Sequence, residues 1–186
     1  MITRSFNIRD DMLNFFQTCY LLSIEIMRVI SFALFLSMLF SPMSYATVNG
    51  LSVAETKKYQ QDVLDEVNAY RLSKHRQPLV MNELISQKAT QHSMKMATHQ
   101  VQFSHEQFFD RIKHIKMSIK NFGGGAENIA CYKIPPKEVV RKWLTSPEHR
   151  KNILGSYNTT GIGVFKNKSG WVYYTQIFVQ DNDHKS

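Results

Sequence analysis

Cysteine is scarce in this chain, with two residues in 186. Cys19 stands in an N-terminal segment that reads as removed, which leaves Cys131 alone. No intramolecular disulfide can then staple the remainder, and a small disulfide-bound scaffold is excluded. A chain of about 140 residues can hold its core without one. Preceded by Ile129 and Ala130, the Cys131 thiol reads as buried and inert rather than reactive. Glycine and proline are also few, at 8 and 5, which excludes collagen-like and low-complexity architectures. There are no internal repeats. Neither the His-Glu-x-x-His of zinc peptidases nor the Gly-x-Ser-x-Gly of serine hydrolases occurs. Acidic residues are the minority, 15 against 23 Lys and Arg, for a net charge of +8. Within residues 1–46 the two signs cancel (Arg4, Arg9 and Arg28 against Asp10, Asp11 and Glu25), so the remainder carries the whole excess. A basic surface favours anionic partners such as phospholipid headgroups or acidic polysaccharide. Nucleic acid is set aside, because the lysines are scattered and no Arg/Lys-rich motif or aromatic stacking string is present.

Long apolar runs are limited to one. Read from Met27, the chain has Met-Arg, an almost wholly apolar stretch from Val29 to Phe40, and then Ser-Pro-Met-Ser-Tyr-Ala. A positive start, an apolar run of about a dozen residues and a small-x-small site at Ser44-Tyr45-Ala46 form a secretory signal. The run is short for a membrane span. Residues 1–26 place Asp10, Asp11 and Glu25 ahead of it, which contradicts that plan, so they read as an extension upstream of a true start at Met27. The rival reading is an uncleaved signal anchor lengthened by Leu21–Ile26, against which Glu25 and Arg28 argue. The expected organisation is therefore a 1–26 extension, a 27–46 signal, a linker and helix start over 47–58, and one domain over 59–181. The product is delivered outside the cytoplasm, to the periplasm or beyond, with no stable membrane span once the signal is cleaved.

The rest has a packed-core composition, 43% hydrophobic and 20% charged. Val63, Val67 and Tyr70 mark one face of a helix over about 53–73. Asn82 is a candidate N-cap for a second helix with Ile85, Ala89, His92 and Met96 on its buried side, His92 being a satisfied core histidine. Residues 100–126 read as mostly irregular, with Gly123-Gly124-Gly125 in a loop. Pro135-Pro136 opens a further helix that buries Val140, Trp143 and Leu144. Ser146 and Pro147 start a short one as N-cap and first residue. Glu127–Tyr132, Gly161–Phe165 and Trp171–Phe178 read as strands, the last two joined as a hairpin through Lys166–Gly170. Trp143 and Trp171 are expected as core anchors, and Asn158-Thr159-Thr160 is a glycosylation-type sequon. Helices that precede and interrupt a small, antiparallel sheet make the class α+β.

Five strings stand in order: Phe103-Ser104-His105, Ala126-Glu127-Asn128-Ile129-Ala130, Trp143 to Leu154 with Ser-Pro-Glu-His-Arg-Lys-Asn-Ile-Leu at its end, Gly161-Ile162-Gly163-Val164, and Tyr173 to Phe178. Together with Val67-Asn68-x-x-Arg71 and Pro78-Leu79 upstream, they resemble the CAP family of cysteine-rich secretory proteins, venom antigens and plant pathogenesis-related proteins, most of all its bacterial branch. The resemblance covers about residues 60–180. It implies a three-layer α-β-α sandwich with a central antiparallel sheet, and a cleft lined by two histidines and two glutamates. His105 matches the first histidine and Glu127 the first glutamate. The second glutamate position holds Ser146 and the second histidine position Tyr173, while His149 lies close enough in sequence to substitute.

Read as chemistry, His105, His149 and Glu127 make a candidate set for a divalent metal such as zinc, with one position open to water or ligand. The alternative is that Glu127 accepts loop amides and that His149 and Arg150 brace a turn. Three functions stay open. The first is a binding module whose cleft (His105, Glu127, Ser146, His149, Tyr173) takes a lipid, a peptide or an anionic cell-surface ligand. The others are a metal-assisted, peptidase-like hydrolase and adhesion through the basic surface alone. The balance leans away from an enzyme. The processed protein is expected to begin at Thr47, as read by N-terminal sequencing of the exported product; a peptide from upstream of Met27 would overturn the start assigned here.

Overall fold

The computed structural model describes residues 27–28 and 50–183. The chain divides into two units, Met1–Ser44 and Tyr45–Ser186. Met27 and Arg28, the described residues of the first, are helical. The signal and the upstream extension otherwise lie outside the described residues. Among the described residues no helix is long and apolar enough to cross a membrane.

The second unit runs α1 (Val53–Ser73), β1 (Val80–Met81), α2 (Glu83–Ala97), α3 (Phe108–Ser118), β2 (Phe122–Tyr132), α4 (Pro136–Thr145), α5 (Pro147–Ile153), β3 (Thr159–Lys166) and β4 (Val172–Asp181). Local chemistry sets several of these boundaries. Ser52 and Glu55 form a reciprocal capping box at the start of α1. Asn82 Oδ1 accepts the Ile85 amide at the start of α2. Pro136 and Pro147 open α4 and α5 at positions where a missing N–H costs nothing.

The sheet order is β1-β3-β4-β2. β3 and β2 both pair antiparallel with β4, as the sequence suggests. β1 adds two residues in parallel to β3, at Val80↔Thr159 and Met81↔Thr160, so the sheet is mixed. Side chains alternate across it. Ile162, Val164, Tyr174 and Phe178 face Val63, Val67, Val140, Trp143 and Ile153 of α1, α4 and α5. Ile177 and Val179 face Ile85, Ala89, Ile115 and Ile119 of α2, α3 and the residue that ends it. The result is an α-β-α sandwich.

Two contacts fix the layers. A Cβ on Gly163 would lie 2.1 Å from the Ala89 carbonyl carbon, and one on Gly161 would lie 2.3 Å from Ile85. The α2 backbone thus rests on the glycine ridge of β3, which no other residue permits. On the opposite side Arg71 is 2% exposed. It donates to the carbonyls of Gln77 (2.8 Å), Ile153 (2.6 Å), Gly155 (3.1 Å) and Tyr157 (2.7 Å), clamping the turns after α1 and α5. Burial, with Arg76 nearby, pulls its pKa down to about 10, so the clamp stays charged at neutral pH.

Three expectations are corrected. Residues 100–126 are not mostly irregular: α3 occupies Phe108–Ser118, because Ile112, Ile115 and Ile119 share one helical face that the sheet can bury. The glycine triplet is not a loop but the start of β2, entered through a register shift between Phe122 and Gly124. Trp171 is not a core anchor, because it sits in the hairpin before β4, 42% exposed, with Lys133 Nζ 5.2 Å from its ring centroid. Gly163→Ala is expected to cost about 3 kcal/mol by overpacking, roughly 10 °C in melting temperature. A melt unchanged from wild type would mean that α2 can retreat from β3.

Candidate functional site

Glu127 lies in the middle of β2, opposite Ile177 of β4, on the sheet face that carries α2 and α3. Its side chain is 1% exposed. A buried carboxylate needs compensation, and Arg111 of α3 supplies it as a fork. Nε donates to Oε2 at 2.9 Å and Nη2 to Oε1 at 2.7 Å. His105 Nδ1 meets the same Oε1 at 2.9 Å. Burial pushes the Glu127 pKa up, but the hydrogen bonds from His105 and Arg111, with the Arg111 charge, outweigh it and hold the carboxyl below its ordinary value.

The remaining Arg111 nitrogen, Nη1, donates to the Glu106 carbonyl (2.7 Å) and reaches His92 Nδ1 (3.2 Å). A guanidinium only donates, so His92 accepts at Nδ1 and carries its proton on Nε2, which donates to the Ser104 carbonyl at 3.0 Å. Burial, reinforced by Arg111, lowers the His92 pKa and keeps it neutral. His92 is thus the satisfied core histidine that its helical position suggests. It also pins the loop that presents His105, whose side chain stays half exposed.

The α5 side of the site is tied on through amides. Asn152 Nδ2 donates to the Glu127 carbonyl (3.2 Å) and to Asn128 Oδ1 (2.9 Å), and Asn128 Nδ2 donates to the His149 carbonyl (3.1 Å). His149 is half-buried, its ring centroid 6.3 Å from that of Trp143. Its pKa is lowered by burial first and then by the His105 charge, so the two imidazoles sense one another. Ser146 is half-buried between α4 and α5. It is the N-cap of α5, as the sequence suggests: its carbonyl accepts the Arg150 amide, although its hydroxyl makes no cap bond. Arg150 Nη1 in turn donates to the Leu144 carbonyl (2.8 Å), bracing that turn.

Tyr173 shares the Glu127 face but pairs with Cys131, four residues along β2, about 13 Å away at strand spacing. It is 8% exposed and edge-on to Phe103 at 6.3 Å, paired across the strands with Cys131. Burial raises the pKa of that half-buried thiol, which disfavours the reactive thiolate. As arranged, the expected metal donors do not fit a resident ion. Both Glu127 oxygens are engaged, and among the described residues no group of three His, Cys, Asp or Glu side chains could hold a metal. The sequon asparagine, Asn158, is bound to Asp181 through both ends of its amide.

Sequence reasoning did not find Arg111. No motif marks it, and its one available signal was the apolar spacing of the helix that carries it. Also outside that reasoning was a groove of about 450 Å³ at the β3 edge, between Val53 and Gln60 of α1, Gln87 and Thr90 of α2, and Val164 and Lys166.

A glutamate of β2 joined to a histidine from the preceding loop, between helical layers on a four-stranded sheet, is the arrangement that the family resemblance implies. The cysteine-rich secretory protein (CAP) family model matches residues 64–181. The chain belongs to the CAP family. Bacillus subtilis YkwD is 36% identical over 126 residues, which cover 65% of this chain and 47% of that protein. This chain thus matches about half the length of that relative. Among solved structures, an extracellular protein containing a SCP domain from Bacillus anthracis is 25% identical, with a TM-score of 0.60 over 71% of this chain and 45% of that one. An outer surface protein of Borrelia burgdorferi shares the fold at 18% identity, with a TM-score of 0.60 over 68% of this chain and 95% of that one. The bacterial branch of the CAP family is therefore where this chain sits.

Two outcomes follow for this CAP cleft. Arg111→Met would leave the Glu127 carboxylate buried without its partner and should cost about 3–5 kcal/mol, read as a fall in the denaturation midpoint. His92 is held neutral, with its folded pKa below the ordinary 6.5, so the unfolded chain takes up the proton first. Stability is therefore full above about pH 6.5 and falls as pH drops below it. Melting curves between pH 5.5 and 7.5 should show this fall, reduced in His92→Gln; equal slopes in the two proteins would refute it.

Proposed function

We propose that this is an exported CAP-domain binding module, not a hydrolase. The cleft bordered by His105, Glu127, Ser146, His149 and Tyr173 takes the polar part of a lipid, a peptide or an anionic cell-surface ligand. One observation carries this reading: Glu127, the one acid of the set, has its carboxylate closed by a forked Arg111 bond. Metal-assisted hydrolysis needs a group free to take a proton from water, and here the carboxylate is spent on holding α3 and the 103–106 loop. The groups left open to a ligand are the half-exposed His105 ring, His149 and the rim aromatic Phe103. They can hydrogen-bond to a polar group and stack on an apolar one. Export follows from the signal-like segment over 27–46 and from the nature of the bacterial relatives.

The test is a thermal-shift screen of the protein against phosphatidylglycerol, muropeptides and model peptides, beside native mass spectrometry with zinc and a casein digestion assay. The expected result is stabilisation by one ligand class, weakened at least about tenfold in apparent affinity by His105→Ala if one charged or polar contact is lost. No zinc should be retained at micromolar concentration, and casein should stay intact. Zinc binding abolished by both His105→Ala and His149→Ala, or peptide cleavage abolished by Glu127→Gln, would overturn the reading in favour of the hydrolase.

A further inference from the structure

We propose that the outward face of α3 is a docking surface for an anionic lipid bilayer, separate from the cleft. α3 satisfies its core requirement with Ile112, Ile115 and the following Ile119, which pack against Ile85, Ile177 and Val179. Two more large apolar side chains, on the flank and on the outer side of the helix, stay exposed: Phe109 at 85% and Met117 at 72%. Phe108, one turn before Ile112 and partly buried, backs the Phe109 ring with 5.8 Å between centroids. Lys113, Lys116 and, just past the helix, Lys120 fall between and beside these residues at helical spacing, all exposed. None of the three makes an ion pair among the described residues. The acidic residue on this helix, Asp110, lies two turns before Met117 at the edge of this face, where three lysines outnumber it, and Glu106 belongs to the loop before it.

The pattern has a physical reading. Exposed apolar side chains cost solubility unless they serve contact. A phenylalanine and a methionine flanked by lysines, on a helix lying flat against its domain, fit the boundary between headgroups and acyl chains. There the rings enter the apolar zone and the ammonium groups stay with lipid phosphates. The unpaired lysine charge selects an anionic bilayer over a zwitterionic one, and the +8 net charge of the chain adds long-range attraction of the same sign. A second copy of this chain is disfavoured as occupant, because two such faces would bring like charges together. The cleft is not needed for this contact: Arg111 points to the inner side of the same helix, bound to Glu127.

Residues 45–186 form a compact unit of their own that holds the whole core, so that unit is the material to test. It is mixed with vesicles of phosphatidylcholine alone, or of phosphatidylcholine with 30% phosphatidylglycerol, and the bound fraction is measured by cosedimentation; the same samples are sized without lipid. Binding is expected to the anionic vesicles alone and to fall steeply between 0.05 and 0.5 M salt. The double variant F109S/M117S should weaken it by about tenfold or more, and each of Lys113→Gln, Lys116→Gln and Lys120→Gln by roughly fivefold. Melting temperature should stay unchanged, because these side chains are exposed. Leu72→Ser, which changes an apolar residue of α1 that is 57% exposed, should have no effect. The proposal is overturned by absence of binding to anionic vesicles, by binding that F109S/M117S leaves intact, or by a dimer that the same double variant dissociates. Because His105→Ala should not change vesicle binding, failure here and failure of the cleft reading are separable.

Discussion

The buried carboxylate of Glu127 is the constraint around which this half of the molecule is arranged. A charge with 1% exposure in the middle of β2 is tolerated only when paired and fully hydrogen-bonded. Arg111 meets that demand with a planar fork, a geometry that lysine could not supply. The consequences extend outward from the pair. α3 must lie where its first turns reach β2. Glu106 and Ser104 must place their carbonyls against the guanidinium and His92. The His92 ring must be neutral and hold one tautomer. His105 then completes the set from the solvent side. Remove the guanidinium and each of these loses a partner, so loop, helix and strand are coupled through one ion pair.

A second group of buried polar residues serves the backbone rather than the cleft. Arg71 gathers four carbonyls from turns that share no secondary structure. Asn128 and Asn152 knit β2 to α5. Asn68 bonds both the amide and the carbonyl of Leu79, fixing the approach to β1. In a chain whose described thiol is free, such hydrogen-bonded side chains do the stapling that disulfides do elsewhere. They are also the residues that carry much of the family resemblance, including Asn68, Arg71, Asn128 and Asn152. Part of that sequence signature is therefore architectural rather than functional.

The departures from the family's four-residue cleft form a coherent set. With Ser146 and Tyr173 where acid and imidazole are usual, the cleft has lost one negative charge and one metal-capable nitrogen. The remaining acid is neutralised internally by Arg111. Tyr173 instead packs edge-to-face with Phe103, four residues along the strands from Glu127. The outer side of α3 is a different surface, apolar and basic, and it shares with the cleft only the helix that supports both.

Much of this was legible before any coordinates. The N-caps at Asn82 and Ser146, the helix-opening prolines and the β-branched and aromatic runs of β3 and β4 are local, so short windows of sequence determine them. His105 and Glu127 were found from the strings around them and do meet at 2.9 Å. What was not legible depended on distance in the chain. Ile112, Ile115 and Ile119 do mark a helix, but a polar, glycine-flanked setting hid them until the sheet supplied a surface to bury them. Trp171 reads as core from its type alone and is surface because the hairpin turns there. The parallel pairing of β1 requires Asn158–Thr160 to pass beside it, which only the closed fold decides. Arg111 is the clearest case: sixteen residues from Glu127 and outside every motif, it acquires its role only when α3 folds back on β2. The sequence by itself determined most of the elements from local periodicity, and the family and the donors from the motif strings. The tertiary structure decided what those donors are committed to, because whether a carboxylate is free or spent depends on which distant charge the fold brings against it.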